Sequence, residues 1–417
     1  MLDYLTLFLK ELGKFKKICY STIISFILFM GVYTMKHLLN PSIGAIQISG
    51  IRQFAEKMKE YPDVVALTIG EPDFPTPTAV KEAGKQAIDE NYSFYAPNAG
   101  LLETRQAACS FVERYGLTYN PSDEVIVTNG STESIYIALK TILLPGDEVI
   151  VPTPTYPAYD PVISMSGAKL VGIDVSDTNF KLTKEKLEAA ITPKTKAVIL
   201  PYPSNPTGAI LTKSELEELV PVLEKHELFI VSDELYSELV FEEQHASIAS
   251  FPSLRERTIV INGVSKSHAM TGWRIGFVFA PSYLVTEMLK AHQYVNTSVN
   301  TMAQRATVEA LNGDFNDVYA MKDEYKKRRD YLHSSLRELG FDVLLPEGTF
   351  YIFPDVSKFS ESAHDFSLEL LEKAKVGLLP SSVFTGEDDK HFRISFSYSM
   401  EKIQEVISRL KTYLETR

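Results

Sequence analysis

Between residues 124 and 232 the chain alternates short apolar runs with amphipathic stretches, at a spacing that few folds can absorb. Glu124–Thr128, Glu148–Val151, Lys169–Ile173, Lys196–Leu200 and Leu228–Ser232 are β-branched, apolar runs that read as strands. Thr132–Leu143, Tyr159–Met165, Thr183–Ile191 and Leu211–Lys225 lie between them and read as helices, the first closed by Pro145-Gly146. Strand and helix in regular alternation predict an α/β fold built on a mostly parallel, doubly wound sheet. Such sheets bind ligands at the carboxyl ends of their strands. Two further apolar runs, Ile259–Ile261 and Ile275–Ala280, add core strands, and Asn262-Gly263 signals that the first of them stops there.

The character of the chain changes from Met302 onward. Ala303–Leu339 reads as long helices, followed by the apolar runs Phe341–Leu345 and Thr349–Phe353 and a strand–helix pair over Phe392–Thr416. This predicts a smaller α+β domain at 302–417 beside a large domain at 69–301. Residues 35–68 form an arm expected to join the small domain.

Charge narrows the function. The net charge of -12 is spread without long acidic blocks, which argues against nucleic acid as a partner. Two cysteines imply no disulfide framework. The eight histidines show no H-x-x-x-H spacing, so no metal site is expected. Neither G-x-G nor a P-loop pattern occurs, which speaks against dinucleotide and nucleoside-triphosphate binding.

The loop after Ile261 holds Lys266 and, eight residues on, Arg274. A lysine held between two core strands loses its proton easily, and the neutral amine forms a Schiff base with an aldehyde. Arg274 offers a fixed fork for an anion such as a phosphate monoester. A surface loop with two solvated cations is the alternative. Other features also fall just after strands. Gly130-Ser131-Thr132 stands at a helix start, suited to an anion or to simple capping. Tyr156, in Pro154-Thr155-Tyr156-Pro157-Ala158-Tyr159, presents an aromatic face or serves the core. Asn205 sits at the tip of a rigid loop, Tyr202-Pro203-Ser204-Asn205-Pro206-Thr207-Gly208. Asp233 ends an apolar strand, where a buried carboxylate needs a cation or caps the next helix. Arg393, in a late strand, suits a bidentate carboxylate or a structural ion pair.

Ser265-Lys266-Ser267-His268-Ala269-Met270-Thr271-Gly272-Trp273-Arg274-Ile275-Gly276 resembles the cofactor-lysine segment of the class I aminotransferases, which use pyridoxal 5′-phosphate on fold type I. The resemblance runs from Met35 to the C-terminus. It implies that Lys266 carries the cofactor and then moves the proton. Gly130, Ser131, Thr132, Ser265 and Arg274 would hold its phosphate, and Tyr156 would stack on its ring. Asp233 would meet the pyridine nitrogen, with Asn205 and Tyr236 on the 3′-oxygen. Arg393 would take the substrate α-carboxylate, with Gly70 assisting by close backbone approach. Tyr95 would reach the phosphate of a neighbouring subunit, which requires a homodimer. Many relatives carry a hydroxyl three residues before the lysine, where this chain has Gly263; Ser265 would compensate.

The resemblance implies a cytoplasmic enzyme that moves an amino group between an L-amino acid, glutamate by expectation, and a 2-oxo acid, in ping-pong fashion. Met35–Phe54 and Ile261–Phe277 look closest to the N-acetyl-LL-diaminopimelate aminotransferases of lysine biosynthesis, with aromatic amino acid aminotransferases nearly as close. A carbon–sulfur lyase would share most of these residues and release pyruvate and ammonia. A regulator would carry a DNA-binding motif, and none precedes Met35.

Residues 1–34 stand apart. Lys10, Lys14, Lys16 and Lys17 precede the uncharged run Ile18–Thr34, in the manner of a signal anchor. That run barely reaches the roughly 20 residues a bilayer needs, and its bulky end offers no cleavage site. The expectation is a translated leader, with the enzyme starting at Met35 and a membrane anchor as the alternative reading.

Overall fold

The structure is a computed structural model and describes residues 35–417. The expected leader at 1–34 lies outside the described residues. Within the short stretch 35–47, a single turn at Lys36–Leu38 precedes the helix Pro41–Gly44, whose first free N–H, at Ser42, is taken by the Asn40 side chain at 3.0 Å. No helix among the described residues is long and apolar enough to cross a membrane.

The centre is a seven-stranded sheet of β1 (Val125–Thr128), β2 (Glu148–Thr153), β3 (Lys169–Asp174), β4 (Thr195–Leu200), β5 (Phe229–Asp233), β6 (Thr258–Gly263) and β7 (Gly276–Phe279). Their order across the sheet is β1-β7-β6-β5-β4-β2-β3. Pairings from β3 through β6 are parallel, while β7 runs antiparallel to both its neighbours. Strands β1, β6 and β7 are buried along their whole length, which is why they read as unbroken apolar runs.

The crossover helices are α1 (Ser131–Ile142), α2 (Tyr159–Met165), α3 (Lys184–Ala190) and α4 (Lys213–Lys225). Their starts are set by local chemistry. The Thr212 hydroxyl accepts the Glu215 N–H while Glu215 accepts the Thr212 N–H, so α4 begins at Lys213 rather than at Leu211. Apolar cores lie on both faces of the sheet: Ile135, Leu139, Ile163 and Met288 on one side, Leu187, Leu219 and Leu223 among those on the other.

One local expectation is overturned. Asn262-Gly263 does not end the strand; Asn262 pairs with Phe277 and Gly263 with Gly276. The turn signal loses because tertiary pairing holds this backbone. The Asn262 side chain turns inward, donating to Ser237 Oγ at 3.1 Å and accepting the Gly263 N–H at 2.7 Å. A Cβ on Gly263 would stand 2.9 Å from the Ile275 carbonyl oxygen, so a side chain here has little room.

A smaller three-stranded antiparallel sheet is made by β8 (Tyr351–Ile352), β10 (Leu379–Pro380) and β11 (Phe392–Ser395), with β11 in the middle. Beside it, β9 (Val376–Gly377) pairs in parallel with Val65–Ala66. Of the two apolar runs before it, Thr349–Phe353 supplies β8, and Phe341–Leu345 makes a single bridge from Asp342 to Asp355 while burying Phe341 and Val343. The helices α5 (Asn316–Glu338) and α6 (Met400–Glu415) cover this sheet through Leu332, Leu336, Val406 and Leu410. The helix Gly50–Met58 turns Phe54 inward onto Leu371, Leu379 and Phe384.

Candidate active site

Strands β4, β5 and β6 run parallel and end side by side at Leu200, Asp233 and Gly263. The residues that follow them wall a cavity of about 460 Å3, closed on its other side by residues around Thr68, Tyr351 and Arg393. The sequence features therefore converge for a topological reason: parallel strands deliver their carboxyl ends to one edge.

Lys266 stands three residues beyond β6. Its Nζ donates to the Gly70 carbonyl at 2.5 Å and lies 5.9 and 5.8 Å from the ring centres of Tyr236 and Phe350. Burial, helped by the positive charges of Arg393 and Arg274, brings its pKa down from 10.5 to about 8; Glu71 pulls the other way. The loop thus holds an amine that gives up its proton readily. Asp233, the last residue of β5, has no cation beside it among the described residues. Burial pushes its carboxyl up to about 6 against two hydrogen bonds, from the Tyr159 hydroxyl at 2.8 Å and the Leu235 N–H at 3.3 Å.

Arg393 is buried in β11 and makes no ion pair among the described residues. Its Nη1 donates to Asn205 Oδ1 at 3.0 Å and its Nη2 to the Thr68 carbonyl at 2.6 Å; its Nε has no partner. Stacking within 4.3 Å of the Tyr351 ring centre fixes its plane. A buried guanidinium with a donor left over is a ready site for a planar anion. Across the cavity, Arg274 adopts a left-handed φ of 57° and donates to the Thr271 carbonyl at 3.0 Å. It lies against the start of α1, where Gly130 has φ 81°; a Cβ there would come 2.3 Å from Arg274 Nη2. Glycine therefore allows a guanidinium, the hydroxyls of Ser131 and Thr132, and the free N–H groups of a helix start to share one place. Ser265 lines the same cavity.

The Tyr156 ring meets Tyr159 edge-on at 5.9 Å, and the Tyr236 and Tyr351 hydroxyls are 3.0 Å apart. Gly70 is held close as well, since a Cβ on it would fall 2.1 Å from the Tyr351 hydroxyl. All the residues singled out from sequence reach this cavity except two. Gly130 lies behind Arg274 rather than at the wall. Tyr95 is 84% exposed in a separate surface cleft with Tyr92, Phe94, Ser298 and Thr301. The wall residues that sequence reasoning missed include Arg52, Thr68, Tyr159 and Tyr351. Tyr159 stands three residues after Tyr156, one helical turn on, which is a weak signal. The other three carried none. Among the described residues, no group of His, Cys, Asp and Glu is arranged to hold a metal ion.

Residues 62–410 match the family of class I and II aminotransferases. The chain belongs to this family. It is 47% identical over 381 residues to a probable N-acetyl-LL-diaminopimelate aminotransferase of Bacillus subtilis, covering 91% of this chain and 96% of the relative. It is 36% identical to aromatic-amino-acid aminotransferase 2 of Thermococcus litoralis, covering 91% and 99%. Among solved structures, the aromatic aminotransferase of Pyrococcus horikoshii superposes with a TM-score of 0.83 at 37% identity, over 87% of this chain and 99% of that one. The protein is thus a fold type I, pyridoxal phosphate-dependent aminotransferase, exchanging an amino group between amino and 2-oxo acids. The cavity suits that cofactor. It offers a helix start with hydroxyls and a guanidinium for a phosphate, a carboxylate lacking a cation, an aromatic ring and a readily deprotonated amine.

Proposed function

We propose that the aminotransferase takes its amino group from glutamate and serves the N-acetyl-LL-2,6-diaminopimelate step of lysine biosynthesis, with Lys266 as its catalytic residue. The observation that supports the chemistry is the convergence of Lys266, Asp233 and Arg393 on one cavity. The substrate rests on the similarity to the Bacillus subtilis relative. In this reading Ser131, Thr132, Ser265 and Arg274 hold the cofactor phosphate, Tyr156 faces the ring, Asp233 holds the ring nitrogen protonated, and Asn205 and Tyr236 meet its 3′-oxygen. Bound pyridoxal phosphate supplies an aldehyde carbon and an electron-poor ring that stabilises negative charge at the substrate Cα.

The chain's own residues do the rest. Arg393 grips the α-carboxylate of the incoming amino acid, and its contact with Asn205 ties the substrate-binding and cofactor-facing loops together. Lys266 Nζ, neutral at mildly alkaline pH, would take the proton from the substrate Cα and hold it for return. The Gly70 carbonyl, which accepts from Nζ, aims the lone pair and leaves room for the substrate above it. Ring faces of Tyr236 and Phe350 border the amine and limit water around it.

The exposed Phe94, Tyr95, Tyr294 and Val295 support a homodimer in which this face is covered and Tyr95 reaches the second cavity. Sedimentation of the native protein as a monomer would remove that part of the reading. An aromatic aminotransferase is the second reading, favoured by the tyrosines 156, 236 and 351 in the cavity wall. The test is an absorbance spectrum of the loaded enzyme. Its visible band should fade with L-glutamate and return with 2-oxoglutarate. Acceptors are then compared: the oxo form of the acetylated diaminopimelate against aromatic 2-oxo acids. A band indifferent to glutamate would refute the donor, and faster turnover of aromatic acids would replace the acceptor.

A further inference from the structure

The hydroxyl of Tyr351 has no assigned work, yet three parts of the cavity meet on this residue. Its ring centre lies 4.3 Å from the Arg393 guanidinium carbon, a contact made by the pairing of β8 with β11. Its hydroxyl is 3.0 Å from that of Tyr236, three residues beyond β5. The backbone of Gly70, whose carbonyl accepts from Lys266 Nζ, packs on the same hydroxyl, where a Cβ would fall 2.1 Å away. Both phenols are buried, and among the described residues their hydroxyls bond to each other and to nothing else. Two hydroxyls carry two protons, and one bond uses one of them. A buried O–H is therefore left over, and both residues line the cavity. Phenylalanine at 351 would fill the same space and stack on the same guanidinium, so packing does not account for the oxygen.

We infer that Tyr351 is a positioning residue: it donates its hydroxyl proton to the Tyr236 oxygen, and so aims the Tyr236 O–H at the cofactor's 3′-oxygen and strengthens it as a donor. This rests on the reading that Tyr236 meets that oxygen. The direction of the bond follows from the surroundings of the two rings. Burial raises both phenols above the ordinary tyrosine range, Tyr236 the more; at Tyr351 the positive charge of Arg393 is the largest opposing influence. Tyr351 is thus the more acidic of the pair, and between two hydroxyls the more acidic one donates. The reverse direction would spend the Tyr236 proton on Tyr351 and turn a lone pair of Tyr236 toward the 3′-oxygen. An oxygen that accepts a hydrogen bond polarises its own O–H, so the bond from Tyr351 makes Tyr236 a stronger donor than a lone phenol. Tyr351 acts on the cofactor only through Tyr236.

The test is the pH midpoint of the visible band of the loaded native enzyme. The proton on the nitrogen that joins Lys266 to the cofactor offsets the negative 3′-oxygen, and once it leaves, that oxygen depends on its donors. A lost or weakened donor therefore moves the midpoint up. Tyr236→Phe removes a bond to a charged oxygen and should raise the midpoint by about 1 to 2 pH units. Tyr351→Phe only weakens that bond and should raise it by about half a unit. Tyr351→3-fluorotyrosine keeps the ring, offers a more acidic donor and should move the midpoint down. The double variant Tyr236→Phe with Tyr351→Phe should match Tyr236→Phe alone, because Tyr351 has nothing left to act through. An unchanged midpoint in Tyr351→Phe, an upward shift with 3-fluorotyrosine, or additive shifts in the double variant overturns the inference while the reading of Tyr236 stands. An unchanged midpoint in Tyr236→Phe removes that reading, and the inference with it. Valerate, a monoacid that Arg393 would hold, should bind the wild type and Tyr351→Phe alike. Weaker binding by the variant would place the effect at Arg393 and overturn the inference.

Discussion

Tyr159→Phe is the substitution with the sharpest consequence. It removes one oxygen from a buried ring, 1% exposed, and leaves the packing volume intact. That oxygen donates at 2.8 Å to Asp233, whose only other hydrogen bond among the described residues comes from the Leu235 N–H at the longer distance of 3.3 Å. These two bonds oppose the burial that already pushes the carboxyl up to about 6. A hydrogen bond to a charged group contributes about 1.5–3 kcal/mol, so losing it should raise the Asp233 titration midpoint by about 1 to 2 pH units. The folded variant then binds a proton that the wild type has released, and only between the two midpoints. Its stability relative to wild type must fall as pH rises through that window: the loss should be small near pH 5 and reach about 1.5–3 kcal/mol near pH 9. Carboxyl-labelled aspartate in the cofactor-free protein reports the midpoint by NMR, and denaturant unfolding at both pH values reports stability. A midpoint within about 0.3 pH units of wild type, or a stability loss that does not change with pH, would show that Tyr159 does not hold the carboxylate.

Three further outcomes follow from the same geometry. Lys266→Ala should fold and retain pyridoxal phosphate through the remaining contacts, yet turn over about 100- to 10,000-fold more slowly; near-normal turnover would refute its role as base. In the cofactor-free protein, Lys266 binds its proton less tightly folded than unfolded, with values of about 8 and 10.5. Stability should therefore rise with pH across that window, by about 3 kcal/mol in total, and Lys266→Met should flatten the slope in unfolding titrations. Gly130→Ala places a Cβ 2.3 Å from Arg274 Nη2 at a φ of 81°. It should weaken binding of pyridoxal phosphate more than binding of pyridoxal, and equal losses in equilibrium titrations would detach Gly130 from the phosphate.

The parallel part of the sheet was legible because most of its strands are largely buried and so repeat one pattern, an apolar run closed by a helix signal. The antiparallel direction of β7, itself legible as a strand, and the continuation of β6 through Asn262-Gly263 were not. A strand's direction leaves no mark on its composition, and a turn dipeptide becomes strand when a partner backbone satisfies it. The wall of the cavity divides the same way. Lys266, Asp233 and Asn205 lie at or within a few residues of strand ends and carry distinctive neighbours, so the chain displays them. Tyr351 reads as an ordinary core strand residue. Its hydroxyl meets Tyr236 only because that loop of the large sheet comes against the small one, and its ring meets Arg393 only because β8 and β11 pair.

From sequence alone, then, came the class of fold, the family it resembles and the residues with reactive groups, because periodicity and reactive side chains are local properties of the chain. Tertiary structure decided which of those groups meet and in what electrical setting. The lowered pKa of Lys266 and the raised one of Asp233 come from burial by segments far away in sequence. The place of Arg52 comes from a helix that packs by Phe54 and presents its other face to the cavity. Desolvation and charge proximity depend on distances in space, and those do not exist until the chain has folded.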